Sequence, residues 1–149
     1  LREVRLKAIG YVEEGLPQEG RGAGRRGLVS TVRIFDEYAD GLLGLEEYSH
    51  VFIIWYMDRV ERFELRVRPR RLQDAPKVGI FATRFPPRPN PIGLTVAEIV
   101  AVEPPRLRVR NLDAWTGSPV LDIKPYDVLD VVPSPRMPEW LRRLLNIDQ

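Results

Sequence analysis

Cysteine is absent from the chain, and histidine occurs once, as His50. The first absence excludes disulfides, thiol nucleophiles and thiolate metal sites. The second removes most zinc and haem architectures and any relay of several histidines, so no metal is expected. Long apolar runs are also missing. The longest, Val51 to Met57, is far short of the roughly 20 residues that a membrane-spanning helix needs. Arg2, Glu3, Arg5 and Lys7 interrupt any leader-like stretch at the start. Together these absences favour a cytoplasmic protein with no membrane partner. A net charge of +2 gives no overall argument for a polyanion partner.

What is present has the composition of an ordinary globular domain, with 44% hydrophobic and 30% charged residues. At 149 residues with no repeat, linker or low-complexity tract, a single domain over residues 1–149 is expected. Basic residues are unevenly spread. Arg59, Arg62, Arg66, Arg68, Arg70 and Arg71 crowd one stretch against only Glu61 and Glu64, and Arg21, Arg25 and Arg26 form a second group. Such clustering suits contact with RNA or phosphate; it also suits a solvated strand edge.

Periodicity favours strands. Val4–Val12 and Leu28–Phe35 read as strands, His50–Met57 as a central buried one, and Phe63, Leu65 and Val67 as the apolar side of a half-exposed strand carrying the arginines. Val78–Thr83, Leu94–Val102, Leu107–Leu112 and Pro119–Ile123 complete the set. Leu42–Tyr48 reads as a short helix with Leu42, Leu45 and Tyr48 inward, and Glu139–Asn146 as an amphipathic helix in the tail. A mainly β domain follows, either an open sandwich or a partly closed barrel. His50 reads as a hydrogen-bonded structural residue rather than a base. Gly22, Gly24 and Gly27 make a literal G-x-G-x-x-G, but a loop precedes them and a β-branched run follows, so the dinucleotide reading fails on context.

Two segments concentrate chemistry. Between Val78 and Val102, Pro86, Pro87, Pro89 and Pro91 lack amide donors and restrict the residues before them, which predicts a stiff loop displaying Arg84, Arg88 and Asn90. That loop is either a binding element or a rigid connector. In the second, Asp122, Lys124 and Tyr126 recur at every other position, so an extended backbone puts a carboxylate, an amine and a phenol on one face. They suit binding of a nucleobase or handling of a proton; a solvated ion pair is the plainer alternative.

Gly79–Leu94 (GIFATRFPPRPNPIGL) and Gly117–Tyr126 (GSPVLDIKPY) closely resemble signature motifs of the TsaA-like (YaeB, TrmO) family, and Gly44–His50 (GLEEYSH) resembles a third. The resemblance runs in the family's order from about Ile9 to Val128, leaving residues 129–149 as a tail with a short helix. It implies a small single-domain β-barrel with short peripheral helices and a proline-rich loop. It further implies a homodimeric, S-adenosylmethionine-dependent methyltransferase acting on N6 of threonylcarbamoyladenosine next to the tRNA anticodon.

Carried onto this chain, the resemblance makes Arg84 and Leu94 cofactor contacts at either end of the proline loop. Trp115, Thr116, Gly117 and Ser118 form a second cofactor-contacting turn. Asp58, where members often have histidine, and Arg59 are further candidates, as is Arg25, in a loop where members often carry Pro-Arg-Gln-Pro-Gly. Arg88 and Asn90, with Arg66 and Arg68 on the basic stretch, are expected to meet the tRNA substrate. Methylation of N6 releases a proton, for which Asp122 is the first candidate acceptor and Tyr126 the second, with Lys124 beside them. The competing expectations are a methyltransferase of the same cofactor acting on another RNA base or a small molecule, and a non-catalytic RNA-binding β module.

Overall fold

Alternation of apolar and polar side chains sets the architecture, as expected where one face of each strand is buried. The computed structural model describes residues 2–17, 27–69, 73 and 75–146. Arg25, with Arg21, Gly22, Gly24 and Arg26, lies outside the described residues, as do Arg70 and Arg71. Among the described residues eight strands are present: β1 (Gly10–Glu14), β2 (Val29–Ile34), β3 (His50–Tyr56), β4 (Arg66–Val67), β5 (Val78–Gly79), β6 (Ile92–Glu103), β7 (Arg106–Arg110) and β8 (Pro119–Pro125). Six of them close into an antiparallel barrel in the order β1-β2-β7-β6-β3-β8, while β4 and β5 form a separate two-stranded ribbon.

Inward positions fill the barrel. Val12, Val32, Val51, Ile53, Leu107, Val109 and Val120 are all fully buried. Bulges allow the closure, since an extra residue bends a strand and increases its twist. One between Ile99 and Ala101 lets β6 serve β3 with its first half and β7 with its second. Another leaves Leu121 unpaired between Val120 and Asp122, which turns Asp122 and Lys124 to the outer face beside Ile54 and Phe52. On the outer surface Arg106 donates to both carboxylate oxygens of Glu13, at 2.8 and 3.1 Å, joining β1 to β7 across β2. The hydrogen bond from Arg106 holds the Glu13 carboxyl below its usual range. Its small stabilisation is therefore present above the unfolded-state value and lost as pH falls through the lowered folded one.

Several segments differ from their sequence patterns. Of Val4–Val12 only the end joins a strand; Val4 and Leu6 are exposed and unpaired. Val78–Thr83 is a strand for two residues and then a 3-10 turn over Ile80–Ala82, because Thr83 N–H closes onto the Ile80 carbonyl at 3.1 Å. Phe63–Val67 pairs only at Arg66–Val67; Val67 is buried, whereas Phe63 and Leu65 face solvent. Leu42–Tyr48 is not a single helix. Two 3-10 segments, Asp36–Leu42 and Leu45–Glu47, place Leu42 and Leu45 over one end of the core while Tyr48 stays exposed. The tail helix α1 (Glu139–Leu144) anchors through buried Trp140.

Candidate functional site

The register places the end of β3 and the starts of β6 and β8 at one mouth of the barrel, with Tyr56 opposite Ile92 and Tyr11 of β1 opposite Pro119. The segments leaving those ends converge there around a cleft of about 730 Å³. Asp58 and Arg59 line it from the end of β3, Arg84 and Arg88 from the proline loop, Leu94 from β6, and Trp115 and Ser118 from the turn before β8. Residues distant in sequence thus share one wall because closure of the barrel brings their strands to the same rim.

Internal bonds fix the proline loop. Thr83 Oγ1 donates to the Ile80 carbonyl (2.9 Å) and accepts from Phe85 N–H (3.2 Å). The Arg88 guanidinium donates to the carbonyls of Thr83 and Phe85, both at 3.0 Å, so Arg88 staples the loop from within while Arg84 is exposed. Met57 N–H donates to the Pro91 carbonyl (2.8 Å), tying the loop's far end to β3. Asn90 is exposed and is not among the residues lining the cleft.

The second wall is bolted to β1. Gly117 adopts φ 94°, a region open to glycine at no steric cost, and its N–H donates to the Val12 carbonyl at 2.7 Å. Thr116 N–H donates to Leu16 (3.0 Å), and its hydroxyl accepts from Gly15 N–H (2.9 Å). Thr116 and Gly117 therefore hold the turn in place, and Trp115 and Ser118 are the members that reach the cleft. The Arg59 guanidinium lies 5.0 Å from the centroid of the half-exposed Trp115 ring, within cation–π range. Behind them Thr95 lines the cleft, while its hydroxyl is buried and has no hydrogen-bond partner among the described residues.

Asp122, Lys124 and Tyr126 do not line this cleft. They run along the outer face of β8 away from the mouth, with Asp122 opposite Ile54 and Lys124 opposite Phe52. Lys124 Nζ lies 3.1 Å from Asp122 Oδ2, and Asp122 Oδ1 accepts its neighbour's N–H from Ile123 at 2.9 Å. The Tyr126 ring packs edge-on against Phe52, with centroids 5.5 Å apart, and Phe52 does line the cleft. Leu94, Ile54 and Asp122 occupy one rung across β6, β3 and β8. Two interstrand spacings, about 10 Å, therefore separate the cleft wall from the carboxylate strand. His50 is hydrogen-bonded, with Nδ1 2.7 Å from Ser49 Oγ. Arg66 and Arg68 stand on the exposed side of the β4–β5 ribbon, outside the cleft lining, and Arg68 donates to the Gln73 carbonyl at 3.3 Å. Leu16, Met57, Val60, Thr95 and Asp113 also line the cleft without having stood out in the sequence. Met57, Val60, Thr95 and Asp113 stand within two residues of candidate site residues, whereas Leu16 carries no such signal. Among the described residues no group of His, Asp and Glu is arranged to hold a metal ion.

The profile of the tRNA-methyltransferase O N-terminal domain matches residues 11–130. A protein of Archaeoglobus fulgidus named as an S-adenosyl-L-methionine-binding protein is 47% identical over 127 residues, covering 81% of this chain and 88% of its own length. The human tRNA (adenine(37)-N6)-methyltransferase is 44% identical over 96 residues, or 63% of this chain, but this chain covers only 22% of that protein. Among solved structures, a crystal structure of TrmO from P. aeruginosa superposes with a TM-score of 0.75 at 30% identity, covering 94% of this chain and 62% of that one.

Proposed function

The chain belongs to the tRNA-methyltransferase O N-terminal domain family, and from that membership we propose that it is an S-adenosylmethionine-dependent methyltransferase acting on N6 of threonylcarbamoyladenosine beside the tRNA anticodon. The observation that carries the reading is the meeting of the proline-loop motif with the Trp115–Ser118 turn around one cleft, while the Gly44–His50 segment lines a separate depression. About 730 Å³ lies within the range of small-molecule sites. The donor set also suits the ligand: Trp115 offers an aromatic face, and Arg84 and Arg59 are cations for a carboxylate.

In this reading Arg84, Asp58, Arg59, Leu94, Trp115 and Ser118 hold the cofactor, Thr116 and Gly117 fix the turn, and Arg25, outside the described residues, is a further candidate contact. Bound S-adenosylmethionine supplies a methyl group on a sulfonium, an already activated leaving group. The protein's contribution is then mainly positioning, which can account for a large part of a transfer barrier. Arg88 keeps the proline loop rigid. Asn90, Arg66 and Arg68 meet the RNA, and Asp122 takes the N6 proton, its carboxylate oriented by Lys124 and by Ile123 N–H, with Tyr126 as second acceptor. Leu94 and Asp122 stand about 10 Å apart with Ile54 between them, so N6 placed over Ile54 would lie between the methyl donor at the cleft and the carboxylate that takes its proton. Assembly as a homodimer in the cytoplasm belongs to the same reading. Apolar groups left open away from the cleft, such as Val128, Leu129 and Val132, support a covering partner. No helix among the described residues is long and apolar enough to cross a membrane.

Calorimetric titration with S-adenosylmethionine and S-adenosylhomocysteine tests the cofactor site. Saturable binding is expected, weakened by Arg84→Ala about tenfold or more, as for loss of a charge-assisted bond. Mass spectrometry of nucleosides from treated tRNA then tests the acceptor base. Failure of folded protein to bind either ligand, with or without tRNA, removes the methyltransferase reading and leaves an RNA-binding module.

A further inference from the structure

Beside the cleft the surface carries aromatic rings that the core does not use. Phe81 is 79% exposed on the 3-10 turn, two residues before cleft-lining Thr83. Phe63 and Leu65 are 56% and 62% exposed on the segment that leaves cleft-lining Arg59 and Val60. The two stretches are locked together: Ile80 N–H donates to the Leu65 carbonyl at 2.9 Å, and Glu64 N–H to the Pro87 carbonyl at 3.1 Å. Fixed rings in open solvent lose apolar burial and gain nothing within the fold.

Cations surround them. Arg62, Arg66 and Arg84 are exposed, and none makes a hydrogen bond or ion pair among the described residues. Exposed aromatic rings on a fixed backbone, with unpaired arginines near them in the chain, are the two components of a single-stranded nucleic-acid surface, where bases stack and phosphates find charge. A second copy of the chain fits less well. A two-fold interface sets a patch against itself, so arginines outnumbering Glu61 and Glu64 would face arginines.

We propose that Phe81, with Phe63 as a second ring on the hydrogen-bonded neighbouring segment, is a stacking shelf for the unpaired nucleotides that flank the target adenine, and that Arg62 and Arg66 engage their phosphates. This rests on the tRNA reading above and adds to it the residues that hold the loop's neighbouring bases outside the cleft. The shelf is independent of base identity, since every base presents a π-face. It fixes the strand, and the cleft selects the base.

The test is anisotropy titration of a fluorescein-labelled RNA hairpin with an anticodon-sized loop, at several salt concentrations and with S-adenosylhomocysteine present. Phe81→Ala should weaken RNA binding about 5- to 150-fold, the range for loss of one stacked base, without changing the salt slope. Phe81→Trp should restore affinity. Arg66→Gln should lower both affinity and the salt slope, the latter by about one. S-adenosylhomocysteine affinity and sedimentation mass should be unchanged in Phe81→Ala. Wild-type RNA affinity in both Phe81→Ala and Phe63→Ala, or no RNA binding by the wild type, overturns the proposal. A fall in mass on Phe81→Ala also overturns it, by making the shelf a subunit interface. Loss of the cofactor reading alone is recognisable, because RNA titration without S-adenosylhomocysteine still reports on the shelf.

Discussion

Gly93 is buried at the start of β6, and a Cβ there would run into the Trp55 indole, 2.6 Å from Cδ2. Trp55 is itself almost fully buried, so the ring has little room to yield. Both residues line the cleft, which makes this contact part of its floor as well as of the core. Gly93→Ala is therefore expected to cost about 1–3 kcal/mol through overpacking. It should also weaken S-adenosylhomocysteine binding, because the displaced indole moves the wall. Urea denaturation and calorimetric titration of the same preparation check the pair; lost stability with intact affinity would show that the cleft does not depend on this contact. Thr95, next but one along the strand, makes the complementary case. A buried hydroxyl left without a partner costs about 1–3 kcal/mol, so this strand carries a polar cost two residues from its steric one.

The proline loop derives its rigidity from one guanidinium as much as from its four prolines. Proline fixes φ but leaves ψ free; the bonds from Arg88 to the carbonyls of Thr83 and Phe85 close that freedom. Arg88→Ala should speed amide hydrogen exchange at Phe85 and Arg88 and weaken cofactor binding several-fold. Arg84→Ala should weaken binding with exchange unchanged; equal exchange in the two variants would mean that proline alone holds the loop. The sequence made this loop legible as stiff and arginine-bearing, because proline acts through local covalent geometry. It did not reveal that Arg88 turns inward, which depends on two carbonyls brought within reach only when the turn forms. The same division runs through the fold. The run from His50 to Met57 reads as a central strand because both of its faces are apolar, and all of it but Met57 pairs with β6 or β8. Val4 and Leu6 alternate as a strand should, yet find no partner, and pairing is a long-range property that alternation cannot report. The cleft follows the same rule: its motif residues were legible, whereas Leu16 and Asp113 enter it only through barrel closure.

Closure has one thin seam. β1 meets β8 through only two register pairs, Gly10 with Val120 and Tyr11 with Pro119, and Pro119 brings no amide donor. Bonds from Ile9 N–H to Val120 (2.8 Å) and from Val12 N–H to Ser118 (2.9 Å) complete it. Gly10 permits the fit. A Cβ there would sit on the Arg33 carbonyl oxygen and 2.9 Å from Ile34 Cα, both backbone atoms of β2 that cannot swing aside. Gly10→Ala should thus push β1 off β2 at the point where it must also reach β8, at a cost of about 2–4 kcal/mol. Because Gly117 N–H hangs from the Val12 carbonyl, the Trp115 turn should loosen with the seam. Exchange at Ile9, Val12 and Gly117 should then accelerate before that of β3, and cofactor affinity should fall together with stability. Gly41→Ala is the control, since its Cβ would meet nothing within 4 Å. If Gly10→Ala matched that control in melting temperature and exchange, the seam would not be what couples the barrel to its cleft. If it opened as argued, β1 and β8 would become unpaired edges, and edges of that kind associate. Light scattering on heating should therefore appear in Gly10→Ala at a lower temperature than in the control.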